Sequence, residues 1–292
     1  MGARWWRMLD PAGWPVQVGA VKGSFCLLAC SLIGGVAAAQ LPDLSTVDAD
    51  LRIPRLTAGE PAPGKRVKHR LPTHARTKVY HVLYLPSDWE PGRKYPVLVE
   101  YAGNKWGATS SGTPEGSRLG YGISGGKGFL WLCLPYLNGD GTANVSQWWG
   151  SKPAYDPQPT IDYCLEAVPW VCENFGGDRG RVVLCGFSRG AIACNFIGLH
   201  NDRIARLWKA FVPYSHYDGV VTGWPYPGVD RPAARERLRR LAGRPQFICG
   251  EGKNAEQTAD YLDKTGVEGD FTIRGTGFRN HDDAWVLRPS LV

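Results

Sequence analysis

An α/β domain, with a mostly parallel central sheet flanked by helices, is the fold class this sequence predicts, and three observations predict it. Val97-Leu98-Val99 and Val182-Val183-Leu184 are continuous apolar runs, the pattern of strands covered on both faces. Short β-like runs alternate with segments of helical periodicity over roughly 200 residues, as strand–helix–strand units do. The composition, 43% hydrophobic and 21% charged over 292 residues, supplies a core and excludes disordered and collagen-like classes.

The elements follow in chain order. Residues 23–36 (GSFCLLACSLIGGV) are apolar, long enough for the centre of an export signal and short for a membrane span. They follow Lys22 and end in Ala37-Ala38-Ala39, an A-x-A cleavage pattern. The sequence therefore predicts a signal peptide over 1–39, a mature chain starting at Gln40, and a secreted or periplasmic product. Leu27-Leu28-Ala29-Cys30 resembles a lipoprotein signal, but the residues after Cys30 are apolar, which favours cleavage over lipid anchoring. No second apolar stretch is long enough to cross a bilayer, so stable membrane insertion is not expected. Residues 40–65 are rich in Pro and Ala without periodicity and read as an extended lead-in, leaving 66–292 as one domain.

Seven strand-like runs fall at 79–85, 96–102, 128–135, 181–185, 208–213, 245–249 and 271–273. Between them, 160–175 places Ile161, Leu165, Val168 and Cys172 on one helical face, and Pro169 predicts a kink or a restart. Residues 189–200 place Ile192, Phe196 and Leu199 on another, and 233–241 and 255–265 are further helices.

The chain carries 34 basic and 27 acidic residues, net +7, or 31 against 26 once 1–39 are set aside. The basic residues are scattered except at 231–240 (RPAARERLRR), which reads as a solvated helix face and implies no nucleic-acid partner. The mature chain keeps Cys133, Cys164, Cys172, Cys185, Cys194 and Cys249. None forms a C-x-x-C or Cys/His metal spacing, so no metal is implied. Buried thiols are the favoured state for those in apolar runs, and a disulfide pairing is left open.

The strongest chemical signal is Gly186-Phe187-Ser188-Arg189-Gly190, a G-x-S-x-G motif between the run 181–185 and the helix that opens at Arg189. Glycines at the ends of such a turn let strand and helix approach closely, and Ser188 is projected from the sheet edge. The helix N-terminus brings backbone N–H groups beside it, ready to hold an oxyanion. A serine nucleophile needs a base. Of six histidines, His281 stands in a loop after the last strand-like run, and His216 is its only competitor.

This order of parts resembles the α/β-hydrolase superfamily, and within it secreted single-domain esterases of the feruloyl, acetylxylan and polyester depolymerase type. The resemblance covers about residues 78–288 and rests on G-F-S-R-G, the late His281, and Tyr101-Ala102-Gly103-Asn104 after the run 96–102. It implies backbone donors at Arg189 and at Asn104 or its neighbour for the oxyanion. An Arg directly after the nucleophile is also similar to glucuronoyl esterases. The family expects an acid just after the run 245–249, where Lys253 or Asn254 takes the usual slot and Glu251 lies beside it. Glu251 is favoured, and Asp218 after the run 208–213 is the alternative. Asp282 and Asp283 adjoin His281 in sequence, where orienting its ring is geometrically awkward.

Trp106, Trp148, Trp149 and Trp224 lie in loops that a parallel sheet would gather around Ser188. Aromatic walls suit a sugar or phenolic acyl group, although packing of loops onto the core accounts for them equally well. The resulting expectation is an exported serine esterase without cofactor, acting on a small-molecule, polysaccharide or polyester ester. The alternatives are a peptidase of the same fold and a carbohydrate-binding protein on an inactive hydrolase scaffold.

Overall fold

The computed structural model describes residues 41–104, 112–146 and 156–291. Its strands are β1 (Leu56–Thr57), β2 (Arg66–His69), β3 (His81–Tyr84), β4 (Tyr95–Tyr101), β5 (Leu130–Leu134), β6 (Tyr136–Leu137), β7 (Asn144–Val145), β8 (Gly177–Phe187), β9 (Ala210–Tyr214), β10 (Pro245–Gly250) and β11 (Asp270–Gly275). Its helices are α1 (Leu119–Ser124), α2 (Gln158–Phe175), α3 (Arg189–Phe196), α4 (Asp202–Ala205), α5 (Arg231–Arg239) and α6 (Asn254–Thr265). Nine strands form one sheet in the order β1-β2-β3-β5-β4-β8-β9-β10-β11, with β6 and β7 paired apart. β3 runs antiparallel to β2 and β5, and the other neighbours in the sheet are parallel.

The continuous apolar runs have the cause expected of them. Along β4, Val97, Val99 and Tyr101 face a cluster that includes Ile161 and Val168 of α2, Ile192 of α3 and Leu238 of α5. Leu98 faces the other cluster, with Leu119 and Ile123 of α1, Trp285 and Leu44. Both faces are covered, so the run has no solvent-facing positions to alternate with; Glu100, on the Leu98 face, is buried too and accepts from the N–H groups of Arg118, Leu119 and Gly120. β4 and β8 sit side by side, β5 lies beyond β4, and β9 lies beyond β8. The chain thus leaves in opposite directions at the β4/β8 boundary, where open α/β sheets place their sites at the strand C-termini.

Two helix expectations change: of the kink or restart expected at Pro169 the restart does not occur, and one helix is shorter than its periodicity implied. α2 runs as one helix through Pro169 with no restart, because Ile161, Cys164, Val168, Val171 and Cys172 are buried along its length. That burial outweighs a loss of about 3 kcal/mol for an interior proline. The helix expected over 189–200 ends at Phe196, where the Gly198 N–H reaches back to the Ala193 carbonyl at 3.0 Å and closes it. The six cysteines Cys133, Cys164, Cys172, Cys185, Cys194 and Cys249 are buried free thiols.

Candidate active site

β8 ends at Phe187 and α3 begins at Arg189, so Ser188 alone reverses the chain. Its φ of 54° and ψ of −112° lie where a non-glycine residue stays only if its surroundings hold it. They do. Its N–H donates to the Tyr214 carbonyl of β9 at 2.9 Å, and its carbonyl accepts from Ala191 at 3.1 Å and Ile192 at 3.3 Å. The flanking glycines are steric necessities: a Cβ on Gly186 would collide with the Gly190 carbonyl, and one on Gly190 with the Tyr101 carbonyl. The second collision shows how closely α3 approaches the end of β4, which brings the segment leading to Asn104 alongside the turn.

Three loops converge on Ser188. His281, between β11 and the C-terminus, places Nε2 3.1 Å from Ser188 Oγ. Glu251, the residue after β10, places Oε1 2.7 Å from His281 Nδ1. A carboxylate only accepts, so His281 carries its proton on Nδ1 and presents a lone pair to the Ser188 hydroxyl. Burial alone would raise the Glu251 carboxyl, but hydrogen bonds from His281 and Ser215 outweigh it and hold the group below its usual range. The Phe187 ring lies 4.7 Å from the His281 ring and supports it from the strand side.

Asp218 is engaged elsewhere. It is 2% exposed and receives both prongs of Arg237, at 2.8 Å from Nε and 2.9 Å from Nη2. The stretch 231–240 is therefore only in part a solvated face. Arg237 turns inward because Asp218 sits buried beneath α5, a partnership that linear sequence does not reveal. Asp282 and Asp283 likewise face away, both accepting from Arg118, at 2.8 and 3.0 Å. Arg189 lies over Trp224 with its guanidinium carbon 3.5 Å from the ring centroid, and burial lowers its pKa to about 10. Trp224 is thus close to the Ser188 turn, where it is a platform for Arg189. Trp106, Trp148, Trp149, Gln40 and the leader 1–39 fall outside the described residues.

Three further side chains meet these residues, and of them only Ser215 had no sequence signal. Ser215, at φ 82°, donates to Glu251 Oε1 at 2.8 Å and sits 2.8 Å from His281 Nδ1. Its single proton goes to the carboxylate, so its oxygen is a second acceptor for the His281 N–H. Asn254, at the start of α6, also donates to Glu251 Oε1, at 2.9 Å. His216, weighed only as a rival base, places Nδ1 3.4 Å from Ser188 Oγ. The lead-in is not a loose tail. Leu44 N–H donates to Asn280 Oδ1 at 2.7 Å, Asp43 pairs with Arg279 at 2.7 Å, and Arg288 donates to the Val47 carbonyl at 2.8 Å. Residues 42–50 strap the outside of the loop that carries His281.

No protein-family model and no curated protein matches this sequence. Solved structures do. An S-formylglutathione hydrolase from Agrobacterium tumefaciens shares 14% identity over 77% of this chain and 91% of its own, with a TM-score of 0.53. That superposition and the strand order decide the fold. The chain has the α/β-hydrolase fold. A thermostable esterase (15% identity, 76% of this chain, TM-score 0.48) and dipeptidyl peptidase 4 from Porphyromonas gingivalis (17% identity, 66% of this chain, TM-score 0.44) are similar to it more distantly. The chain spans 58% of that esterase and 29% of that peptidase. Within this fold, Ser188, His281 and Glu251 follow the C-terminal ends of β8, β11 and β10, all at one end of the sheet. Among the described residues, no helix is long and apolar enough to cross a membrane, and no group of three or more His, Cys, Asp or Glu could hold a metal ion.

Proposed function

We propose that the protein is an exported serine hydrolase of carboxylic esters. The observation that carries this reading is the unbroken hydrogen-bonded chain from Ser188 Oγ through His281 to Glu251. Ser188 attacks the ester carbonyl while His281 Nε2 takes its proton, and Glu251 stabilises the imidazolium that forms. The proton then passes to the departing alkoxy oxygen, leaving an acyl group on Ser188. Water attacks that group by the same route and frees the acid. The N–H of Arg189, at the first turn of α3, is the first oxyanion donor, and Asn104 or its neighbour is the second. No step calls on a cofactor. Export through the leader 1–39 belongs to the same proposal and rests on the A-x-A pattern at 37–39.

Two measurements test it. A fluorophosphonate should label Ser188 and nothing else, and rapid mixing with an activated ester should release a burst of leaving group from an acyl-enzyme. Absence of both would leave the scaffold as a binding protein. Mass spectrometry of the exported protein should find Gln40 at the N-terminus, and retention of 1–39 would remove the export claim.

A further inference from the structure

We propose that His216 is a second imidazole acting on the nucleophile: its Nδ1–H donates to Ser188 Oγ and stabilises negative charge on that oxygen as it attacks and as it leaves. This rests on the esterase reading above and adds to it a residue that touches the reacting atom.

The argument is one of proton inventory. Glu251 fixes the His281 proton on Nδ1, so His281 Nε2 is an acceptor, and the single Ser188 hydroxyl proton points to it at 3.1 Å. Any further group within hydrogen-bond reach of Ser188 Oγ must then donate. His216 Nδ1, 3.4 Å away, is such a group, which fixes its proton on Nδ1. The ring is held neutral. Burial first, then the neighbouring His281, push its pKa down to about 4; Glu251 partly offsets them and Arg189 adds a smaller push downward. A neutral ring at this place donates without competing with His281 for the transferred proton. It packs against His281 in a tilted arrangement, centroids 5.0 Å apart and 31° between planes, so the two rings reach Ser188 Oγ side by side.

Backbone geometry supports this placement. Ser215, immediately before His216, is held at φ 82° with its N–H donating to the Cys249 carbonyl at 2.8 Å. Positive φ at a serine is strain that the surroundings must maintain. Its effect is to turn two consecutive side chains toward one centre, Ser215 to the acid–base pair and His216 to the nucleophile.

The chemistry balances without a second proton transfer. In acylation the Oγ–carbonyl bond forms, the carbonyl electron pair moves to oxygen and the hydroxyl proton goes to His281; the carbonyl then re-forms, the bond to the alkoxy oxygen breaks, and His281 gives its proton to that oxygen. In deacylation water adds, its proton goes to His281, and the Oγ–carbonyl bond breaks with its electron pair on Oγ, which His281 reprotonates. His216 keeps its proton throughout, and its hydrogen bond strengthens whenever Oγ is anionic.

The test uses the geometry of amide side chains, since Asn places an N–H near the imidazole Nδ1 position and Gln near Nε2. In the full-length mature protein, His216→Asn should retain kcat on a p-nitrophenyl ester within about threefold. His216→Gln and His216→Ala should each lose about 10- to 100-fold, the worth of one hydrogen bond to a charged group. KM should stay within about twofold, and rapid mixing should show acylation and deacylation both slowed. Full activity in His216→Ala, or an Asn variant as poor as the Ala one at unchanged melting temperature, overturns the proposal while the esterase reading stands. A wild-type protein that neither labels at Ser188 nor turns over esters overturns both.

Discussion

Two imidazole pairs with the same centroid separation, 5.0 Å, sit on opposite sides of the β4/β8 boundary and are bonded in opposite ways. In the pair on β2 and β3, His69 Nδ1 meets His81 Nε2 at 3.1 Å, and His81 Nδ1 meets the Tyr163 hydroxyl at 2.7 Å. Trp170 stacks on His69 at 4.9 Å and closes the cluster. Both nitrogens of His81 are spent on neighbours. On the other side, His216 and His281 do not bond to each other, and each directs a nitrogen at Ser188 Oγ. What separates the two pairs is whether the rings converge on a third atom, Ser188 Oγ, and whether a carboxylate stands behind one of them, and on the proposed function that difference is the one between packing and catalysis.

The sharpest way to break that comparison is to delete one histidine from each pair. His281→Ala should lower ester hydrolysis by about 10⁴- to 10⁶-fold with little change in melting temperature, since it removes the base of a cooperative unit. His81→Ala should do the reverse. It leaves activity per folded molecule near that of the parent and costs about 3 kcal/mol of stability, as truncation of a fully buried ring does. Active-site titration alongside thermal unfolding checks both. Inactivity of a folded His81→Ala would mean that the two sides are coupled and the contrast is wrong.

The acids make the same contrast. Glu251→Gln should reduce kcat by about 10³- to 10⁴-fold, because the His281 tautomer is no longer fixed, while the fold persists. Asp218→Asn should leave kcat alone and destabilise by about 3–5 kcal/mol, since Arg237 keeps its buried charge without an anion. Urea unfolding and steady-state kinetics on both variants decide it. If the kinetic loss falls on Asp218→Asn, the acid belongs to β9 and the assignment is reversed.

These contrasts also mark what was legible in the sequence. The doubly covered strands β4 and β8 announce themselves as unbroken apolar runs, and the G-x-S-x-G turn is legible because its glycines are sterically compelled. β2 is not legible. Its four residues, Arg66–His69, hold one apolar core residue, Val67, beside an Arg66 buried on the Glu115 carbonyl, an exposed Lys68 and a half-buried His69, so neither alternation nor a continuous run appears. Arg237 looks like one more surface arginine until the fold brings Asp218 beneath it. Ser215 and Asn254 contribute hydrogen bonds across 36 and 3 residues to Glu251, and nothing in their neighbours marks a serine at positive φ. Local pattern reports periodicity and turn chemistry, whereas these roles depend on which loops meet at a sheet edge.

Acid should sharpen the contrast between the pairs through stability. His81 in the folded protein is pushed down to about 3 from 6.5, by burial first and by His69 second, and burial lowers His69 too. Its other neighbour, Tyr163, is pushed well up by burial and stays neutral. The unfolded chain therefore binds a proton at His81 that the folded one refuses. The stabilisation is complete above pH 6.5 and is lost progressively as pH falls from there toward about 3. The slope is about 1.4 kcal/mol per pH unit for each such proton. Unfolding free energies at about pH 7.5 and about pH 5.5 should show the drop, and His81→Gln, which cannot titrate, should flatten it by about one proton. An unchanged slope in that variant would place the acid sensitivity elsewhere.

The smallest expected effect concerns the residue that ties the convergent site together. Ser215→Ala removes one of the two acceptors for the His281 Nδ1–H and one donor to Glu251, and keeps the φ of 82°. Glu251 still holds His281 at 2.7 Å and still receives Asn254, so the tautomer survives and only its orientation loosens. kcat should fall about tenfold, the worth of one hydrogen bond to a charged group, with KM unchanged. Ser215→Gly should show the same kinetic loss but differ in stability. Glycine takes φ of 82° without the strain of about 1 kcal/mol that a Cβ brings there, which offsets the extra freedom it gives the unfolded chain. It should therefore unfold at a temperature no lower than the Ala variant. A Gly variant clearly less stable than the Ala one would mean that the backbone at 215 is not strained. A fully active Ala variant would mean that Glu251 alone orients the base, and the difference between the two imidazole pairs would then reduce to that one carboxylate.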